Sequence, residues 1–453
     1  DGTPGGGAQI RIRGGSSLSG SNDPLIVIDG MAMDNNGIKG VANLLSVVNP
    51  ADIESFNVLK DASATAIYGS RGSNGVIIIT TKKGAKNQKP QVTYAGNVTV
   101  SANKNTVEVM TGDEYRKFIN NLYAGDANYE NAINALGTAN TNWQDLIFRT
   151  AVSHDHNLTL SGGFANTPYR LSLGYTDQEG TLKNSDFKRF TASLNVNPTF
   201  FENHLTVNLN AKGMFAKSTY ANAGAVGAAV AFDPTQDPHA YTSKYHQALF
   251  AEAGVSADQI LNNFGGYFQW ISNGASLNDS KWPYTYNNLA TKNPLDLLES
   301  RDDRAISRSF IGTAEVDYKI HGFEDLRFNL NVGYEGRDSW SKSGNIPGSF
   351  KSLTDTEARG VGKYSDSENS NYNKMLEFYA NYNHDFNGHR VDLMAGYTYT
   401  HVYSHSYSES KFWDDFGQYK KDEVYGKPSL DDQEHFLVSF YGRVNYSFKG
   451  RYL

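Results

Sequence analysis

The chain has 453 residues and a formal net charge of −7, from 48 acidic and 41 basic side chains. Nucleic-acid-binding proteins usually carry a basic excess on one face, so this balance argues against that class. The chain has no cysteine, which excludes disulfides, thiolate metal sites and cysteine nucleophiles.

The first part of the chain predicts a small α+β domain over residues 1–84. Asn49, Pro50 and Asp52 predict a helical turn, with proline at its first position and an acid near its N-terminus. A short capped helix is predicted over 61–68. Short apolar strands divided by glycine turns are predicted at 10–15, 24–30, 55–60 and 76–84.

After a predicted hinge at 85–90, long segments alternate strictly between apolar and polar residues. In 326–334, for example, Leu, Phe, Leu, Val and Tyr are interleaved with Arg, Asn, Asn and Gly. About ten such segments follow, most of them about 9 to 13 residues long, whereas ordinary strands have about five or six. A tilted strand needs about 9–11 residues to cross a bilayer, so 91–453 predict membrane-spanning strands.

The connections between these segments give a second indication. Tight turns at 165–168, 321–325 and 386–389 separate long segments at about 103–152, 217–305, 339–372 and 404–434. This alternation is typical of an outer-membrane barrel with short periplasmic turns and long extracellular loops. A large soluble β-sandwich or solenoid is the alternative, but it has no reason to place its long loops at one end.

Size indicates what such a barrel would contain. A barrel of about eight strands is filled by its own side chains, whereas one of about 22 strands encloses a plug. If 1–84 form a plug, about ten strands cannot surround it. We therefore predict an all-β membrane protein, a plugged transmembrane β-barrel of about 22 strands with a small α+β plug, of which this chain is a piece.

Residues 49–84 closely resemble the plug signature of the SusC/RagA family of TonB-linked outer-membrane proteins, which are nutrient importers of Bacteroidota. Segments 10–14 and 23–30 are similar to the first plug strands of that family, and segments 232–236 and 293–299 are similar to its barrel segments. The plug motif is carried by Asn49, Pro50, Asp52, Ile53, Glu54, Lys60, Asp61, Ala62, Tyr68, Gly69, Arg71, Gly72, Asn74 and Gly75.

The resemblance implies that the whole protein imports a large nutrient, a glycan or an oligopeptide, across the bacterial outer membrane. It implies energy supplied through TonB, by a segment absent from this chain, and a SusD-like surface lipoprotein as a lid. It implies no enzymatic activity and no cofactor, and it leaves open a dimer of transporter–lid pairs in the outer-membrane lipid. Two alternatives remain: a siderophore or cobalamin receptor without a lid, and a structural or adhesive barrel that transports nothing.

Several residues are candidates for specific roles. A plug that must shift should be held by polar and ionic contacts, since these exchange with water at modest net cost. Arg71 is therefore expected either to pair with an acid, Glu54 or Asp61, or to cap a plug turn. Aromatic residues flanked by Asn and Asp are candidate ligand or lid contacts, unless they pack the loops together: Trp270, Trp282, Tyr284 and Trp413.

One pattern could suggest a metal. His154 and His156 would share a face of a strand, but no third ligand lies nearby in the sequence. Solvated histidines near a strand end are the favoured interpretation, and no metal site is predicted.

Overall fold

The computed structural model describes residues 3–7, 10–12, 22–33, 37, 39–40, 44–60, 66–273, 284–353, 360–412 and 426–449. It contains a four-stranded sheet near the N-terminus, an 11-stranded sheet made by the following chain, and a separate two-stranded hairpin. The strands are β1 Leu25–Ile28, β2 Met31–Ala32, β3 Ile53–Leu59, β4 Val76–Thr81, β5 Gln91–Ser101, β6 Ala151–Phe164, β7 Thr167–Glu179, β8 Asp186–Val196, β9 Thr199–Phe200, β10 Leu205–Thr219, β11 Ile271–Asn273, β12 Tyr284–Tyr286, β13 Arg301–Ile320, β14 Phe323–Asn345, β15 Lys363–Phe386, β16 His389–Phe412 and β17 Ser429–Phe448.

The small sheet has the order β2-β1-β4-β3, and β1 and β4 are parallel. These two central strands are largely buried, which explains why they are apolar without alternation. The predicted turn is confirmed as a 3-10 helix, Pro50–Asp52, capped by the Asn49 side chain. Of the predicted helix at 61–68, residues 61–65 lie outside the described residues, and a 3-10 helix covers Ala66–Gly72.

The strand predicted at 10–15 is not formed by its described part. Residues 10–12 are irregular, and Ile10 and Ile12 pack on the core of the small sheet. Alternation over so short a segment predicted the burial of these side chains but not their backbone conformation.

The large sheet runs in chain order, β5 to β17, with antiparallel neighbours; β9 pairs with β10 off this path. The sheet is not closed, since β5 and β17 each pair on one side only. On β14, Leu330, Val332 and Tyr334 are exposed on the convex face. The alternate residues Asn331 and Glu335 are buried on the concave face. Such apolar-out, polar-in alternation is that of a transmembrane barrel wall.

Five strands of the second half are longer than their apolar pattern predicts. Strands β14, β15 and β16 have 23, 24 and 24 residues, and β13 and β17 have 20 each. The reason lies in the added part: in 363–374, for example, polar residues occupy both faces, so the alternation disappears while backbone pairing continues. Because the strands extend into 339–372 and 404–434, the connections there are shorter in the structure than in the prediction.

The tight connections lie at one end of the strands of the large sheet. Residues 165–166, 321–322 and 387–388 each join two neighbouring strands, and Ala165, Gly322 and Asn387 adopt positive φ there. Hairpin turns require such conformations.

The connections at the opposite end of the strands contain the helices. They are α1 Gly112–Leu122, α2 Tyr129–Ala135, α3 Trp143–Ile147, α4 Gly224–Ala231, α5 Lys244–Ala253, α6 Ala257–Asn263, α7 Pro294–Glu299 and α8 Phe350–Leu353. Among the described helices, none is both long and apolar enough to cross a membrane.

Candidate functional site

The small sheet lies against the concave face of the large sheet, and a buried ion pair joins the two. Asp29 follows β1 in a turn, with φ of 44°, and its carboxylate accepts hydrogen bonds from the backbone N and the Oγ1 of Thr81, at 2.8 and 2.7 Å. The same carboxylate binds the ammonium group of Lys212 on β10. These two side chains are 5% and 3% exposed, so the pair is almost completely removed from water.

A second ion pair lies close by. Asp52, at the end of the 3-10 helix, binds Arg170 of β7 at 3.0 Å and the hydroxyl of Ser193 at 3.1 Å. Arg189 of β8 donates to the carbonyl of Ser46 at 2.9 Å. Charged groups of β7, β8 and β10 therefore hold one side of the small sheet.

Neutral amides hold the side that faces β14 and β15. Asn331 donates to the carbonyl of Gly30 at 3.3 Å, and Asn373 donates to that of Ala32 at 2.8 Å. Asn373 also contacts Glu335, which pairs with Arg337 at 2.7 Å on the wall. The interface is thus polar on both sides, as expected for a plug that can be displaced.

Apolar contacts complete this interface. Phe187, Met214, Ile311 and Met375 of the wall belong to the same buried cluster as β1 and β4. The wall therefore contributes part of the plug's hydrophobic core.

The motif residues of the resemblance have structural roles in the plug. Arg71 donates to the carbonyls of Ala32 and Met33, at 3.4 and 2.7 Å, which caps the end of β2. Tyr68 packs against the plug core, and burial raises its pKa to about 12. Gly75 has φ of 94°, and a Cβ there would lie 2.9 Å from Ile12, so glycine is required.

The other motif residues stand at turns and at the edge strand. Asn49 caps the 3-10 helix and also donates to Asn157 at 3.4 Å. Asn74 reaches the carbonyl of Asp23 at 3.5 Å. Pro50 is the first residue of the 3-10 helix, and Ile53 packs on the plug core. Glu54 and Lys60 are exposed at β3, and Gly69 and Gly72 belong to the 3-10 helix Ala66–Gly72. Asp61 and Ala62 lie outside the described residues.

The linker after β4, which contains Lys82 and Lys86, contacts the end of the wall at which the tight turns lie. Lys86 donates to Thr199 at 2.9 Å and to Asn203 at 2.8 Å. Lys82 binds the carbonyl of Ala51 at 2.7 Å. A Cβ at Gly84 would lie 2.3 Å from the carbonyl oxygen of Tyr169, so the chain passes directly over the wall there.

At the other end, the long connections form a core of their own. Its buried members are Trp143, Ile147, Ala225, Ala229, Phe232, Tyr241, Phe250, Ile260, Phe264, Phe268, Tyr284, Leu295, Leu298 and Phe350. We call this group the external core. Segment 232–236 organises part of it: Asp233 accepts from Thr235 and Gln236, and its carbonyl accepts from Trp143 at 3.0 Å.

Segment 293–299 forms α7 and ties the external core together. Asn293 caps α7 and donates to the carbonyls of Pro238 and Phe268, at 3.1 and 3.2 Å. Asp296 accepts from Gln269 at 3.1 Å and from Ser300. Burial raises the pKa of Asp296 to about 7. Burial likewise lowers the pKa of His246, next to Tyr241, to about 4.

The four candidate aromatic contacts are not alike. Tyr284 is buried in the external core and donates to the carbonyl of Leu249 at 3.0 Å, so it packs the loops together. Trp270 is partly buried against Phe268 and His246 and keeps some exposed surface. Trp282 and Trp413 lie outside the described residues.

A cavity of about 520 Å³ lies where the plug, the wall and the external segments meet. Glycines of the N-terminal segment, Lys39, the connection after β7 and the end of β10 line it. A cavity of this size is in the range of small-molecule sites.

His154 and His156 lie on the convex face of β6. The imidazole of His156 contacts the hydroxyl of Tyr94 at 2.6 Å. Within the described ranges, no group of three His, Asp or Glu side chains is placed to hold a metal ion.

Sequence reasoning did not single out Arg170, Lys212 or Asp29, and it named Asp52 only as part of the helical turn and the plug motif. The sequence did contain a signal. Lys212 follows Asn208 and Asn210 at alternate positions of one strand, and a charge within a membrane-spanning segment needs a partner. The partner itself could not be read from the sequence, because it lies 183 positions away.

Comparisons with known proteins agree with this architecture. Residues 1–76 match the family model described as TonB-dependent Receptor Plug Domain. The chain is 46% identical to TonB-dependent receptor SusC of Bacteroides thetaiotaomicron, over 100% of this chain and 43% of that protein. It is 32% identical to TonB-dependent receptor P3 of Formosa agariphila, over 100% of this chain and 40% of that protein.

Among solved structures, that of the RagAB peptide transporter is similar with a TM-score of 0.72 and 21% identity, over 97% of this chain and 48% of that chain. This likeness shows that the chain shares its fold with the corresponding part of that transporter. The chain thus spans less than half the length of each of these relatives.

Proposed function

We propose, on the premise that this chain belongs to the family of TonB-dependent receptors that includes SusC, that the whole protein imports a nutrient across the outer membrane. The observation that carries the proposal is the plug, docked on the concave wall by the Asp29–Lys212 and Asp52–Arg170 pairs. A plug held by polar contacts closes the lumen at rest and can be released when energy is supplied through TonB.

The proposal includes the division of the chain. Residues 1–84 act as the plug, 85–90 as the hinge and 91–453 as the first part of a barrel of about 22 strands. Among the plug motif residues, Asp52 and Asn49 act in docking, through Arg170 and Asn157 of the wall. The long connections face the outside of the cell, and the linker lysines lie on the periplasmic side.

We propose a large cargo, a glycan or an oligopeptide, and a SusD-like lipoprotein that covers the external segments. The external core supports a partner of this kind, because it makes the segments a packed platform. Trp270, which keeps exposed surface, is the best placed of the candidate aromatic contacts. Trp282 and Trp413 remain candidates, and the Tyr284 side chain would support the platform from below.

The experiment is purification of the tagged full-length protein from its native outer membrane in mild detergent, with mass spectrometry of what accompanies it. A stoichiometric lipoprotein and a bound oligosaccharide or peptide are the expected result. A barrel that elutes alone with an iron chelate would replace the proposal with a siderophore receptor.

Growth on the identified cargo tests the energy source. Loss of growth is expected when TonB is deleted. Unchanged growth would contradict TonB-dependent import and favour a structural or adhesive barrel.

A further inference from the structure

The convex face of β14–β17 carries a notch of about 320 Å³. Its lining residues are Tyr334, Tyr372, Lys374, His401, Tyr403 and Glu434. They come from two adjacent rows across the strands, Tyr334–Lys374–His401 and Tyr372–Tyr403–Glu434. Gly336 belongs to the second row and has no side chain, and the ring of Tyr334 lies over it, with its hydroxyl 3.0 Å from the position that a Cβ would take.

The notch lies where the convex face changes from apolar to polar residues. The next two rows toward the tight turns are apolar or aromatic: Val332, Leu376, Tyr399 and Val438, then Leu330, Phe378, Tyr397 and Phe440. The next row in the other direction is polar: Asp338, Ser370, His405 and Asp432. In a transmembrane barrel, this border with its tyrosines lies at the level of the lipid headgroups.

The walls of the notch are fixed by stacking and hydrogen bonds. The rings of Tyr334 and Tyr372 are 6.5 Å apart, and those of Tyr372 and Tyr403 are 6.3 Å apart, both nearly parallel. The hydroxyl of Tyr372 donates to Asp338 at 3.0 Å, and that of Tyr403 donates to Asp432 at 3.3 Å.

The acids around the notch already have partners, whereas its lysine does not. Asp338 also accepts from Ser370, Asp432 also contacts His405, and Glu434 contacts His401 at 2.7 Å. In the part of the chain that the structure describes, the ammonium group of Lys374 forms neither a hydrogen bond nor an ion pair. An ammonium group at headgroup depth, with the hydroxyl of Tyr334 lining the same notch, is suited to a phosphate.

We propose that this notch binds the phosphate-bearing headgroup of an outer-membrane lipid. Lys374 supplies the positive charge, and the hydroxyl of Tyr334 is placed to donate a hydrogen bond to the phosphate. The acyl chains of the lipid then lie over the apolar rows that begin at Val332. This inference rests on the proposed place in the outer membrane, but not on import.

The test uses full-length protein, purified in mild detergent and stripped of lipid, to which single lipids are added before native mass spectrometry. The probes are a phosphatidylglycerol, a monophosphorylated lipid A, and a diacylglycerol as the phosphate-free control. We expect at least one phosphate lipid to bind, and the K374Q variant to retain at least fivefold less of it. The lipid with the Lys374-dependent signal identifies the source of the phosphate.

Lys217→Gln is the matched control, because Lys217 is also exposed on the convex face, where its ammonium group lies 5.7 Å from the ring of Phe215 and outside the notch. It should leave lipid occupancy unchanged, and so should every variant with diacylglycerol. Equal losses in K374Q and K217Q, or no loss in K374Q, would overturn the proposal. Occupancy is measured without transport, so a failure here and a failure of import are separate results.

Discussion

The ammonium group of Lys212 is almost completely removed from water and contacts Asp29 of the plug. The attraction between two buried charges is offset by their desolvation, so such a pair adds little net stability. Removing one partner is different, because the other charge then stays buried without compensation. The pair therefore fixes the position at which the plug docks more than the strength of docking.

The first prediction follows from this asymmetry. Lys212→Met should weaken plug docking by about 3–5 kcal/mol, since the Asp29 carboxylate loses its cation. Hydrogen exchange of the β1 and β4 amides in the full-length protein measures the loss. The double variant with Asp29→Asn should recover much of it.

Lys188→Met serves as the control for this prediction. Lys188 pairs with Asp177 at 3.0 Å, but its side chain is 55% exposed and both residues belong to the wall. An exposed pair contributes at most about 1 kcal/mol, so plug exchange should stay unchanged. Equal effects of the two methionine variants would show that Lys212 has no special role.

The second prediction concerns Asp296, whose pKa is raised by burial from 3.8 to about 7. Between these values the folded state keeps a proton that the unfolded state releases. The contribution of this group is fully present below the unfolded pKa, and it is lost as the pH rises through the folded pKa. The external core should therefore lose up to about 1.4 kcal/mol of stability per pH unit in that window.

Hydrogen exchange of the external core at pH 5 and pH 8 checks this dependence. His246 lies among the same segments, and its lowered pKa acts in the opposite direction, so the readout is the difference between variants. Relative to the wild type, Asp296→Asn should gain protection between pH 5 and pH 8, because its amide stays neutral at both pH values. Asp258→Asn, on exposed surface of α6, should follow the wild type. An equal pH dependence of the wild type and Asp296→Asn would refute the role of Asp296.

At the scale of elements, α7 shows how one cap organises a whole group of segments. Asn293 accepts from the backbone N of Leu295 at 2.9 Å while its amide donates to two carbonyls of other segments. We predict that Asn293→Ala destabilises the external core by about 2 kcal/mol or more, since several buried groups lose their partner.

Ser256→Ala is the matched control for this variant. Ser256 caps α6 on exposed surface through a single bond to Gln259 at 3.1 Å. Its loss should cost about 1 kcal/mol. Limited proteolysis of the external segments compares the two, and a larger effect of Ser256→Ala would contradict the assigned role of Asn293.

The fourth prediction tests the level of the membrane on the wall. Val332→Arg should impair folding into lipid vesicles by about 2–4 kcal/mol, because an outward charge meets hydrocarbon. Glu368→Arg also changes an outward residue, but on the polar extension of β15, and should have little effect. An equal cost for both substitutions would place the hydrocarbon boundary beyond Glu368.

The elements differ in how far their sequence predicts them. Strands such as β14 are predictable over their apolar part, because one face meets lipid and the other the lumen. Their extensions were missed, since pairing with neighbours rather than amphipathicity maintains them there. Caps such as Asn49 were predictable because they act on the next turn of their own chain.

At the scale of the whole molecule, the wall was predicted from strand length, periodicity and the spacing of the connections, and the plug from its resemblance to a family signature. The polar and ionic contacts between them were predicted in kind, whereas the apolar contacts, such as that of Met214 with the plug core, were not. Pairs such as Asp52 and Arg170 depend on how two domains meet, which no local pattern encodes. For the same reason, Tyr284 proved to be a packing residue, although its sequence neighbourhood resembled a binding surface.

The long strands of the second half have a consequence for what the cell displays. At about 3.4 Å per residue and a tilt of about 40°, the 24 residues of β15 rise roughly 60 Å, against an apolar band of about 25 Å. More than half of that height extends beyond the apolar band. In the proposed orientation, this part of the wall projects from the cell surface, and substitutions of its outward residues should leave the lumen side unaltered.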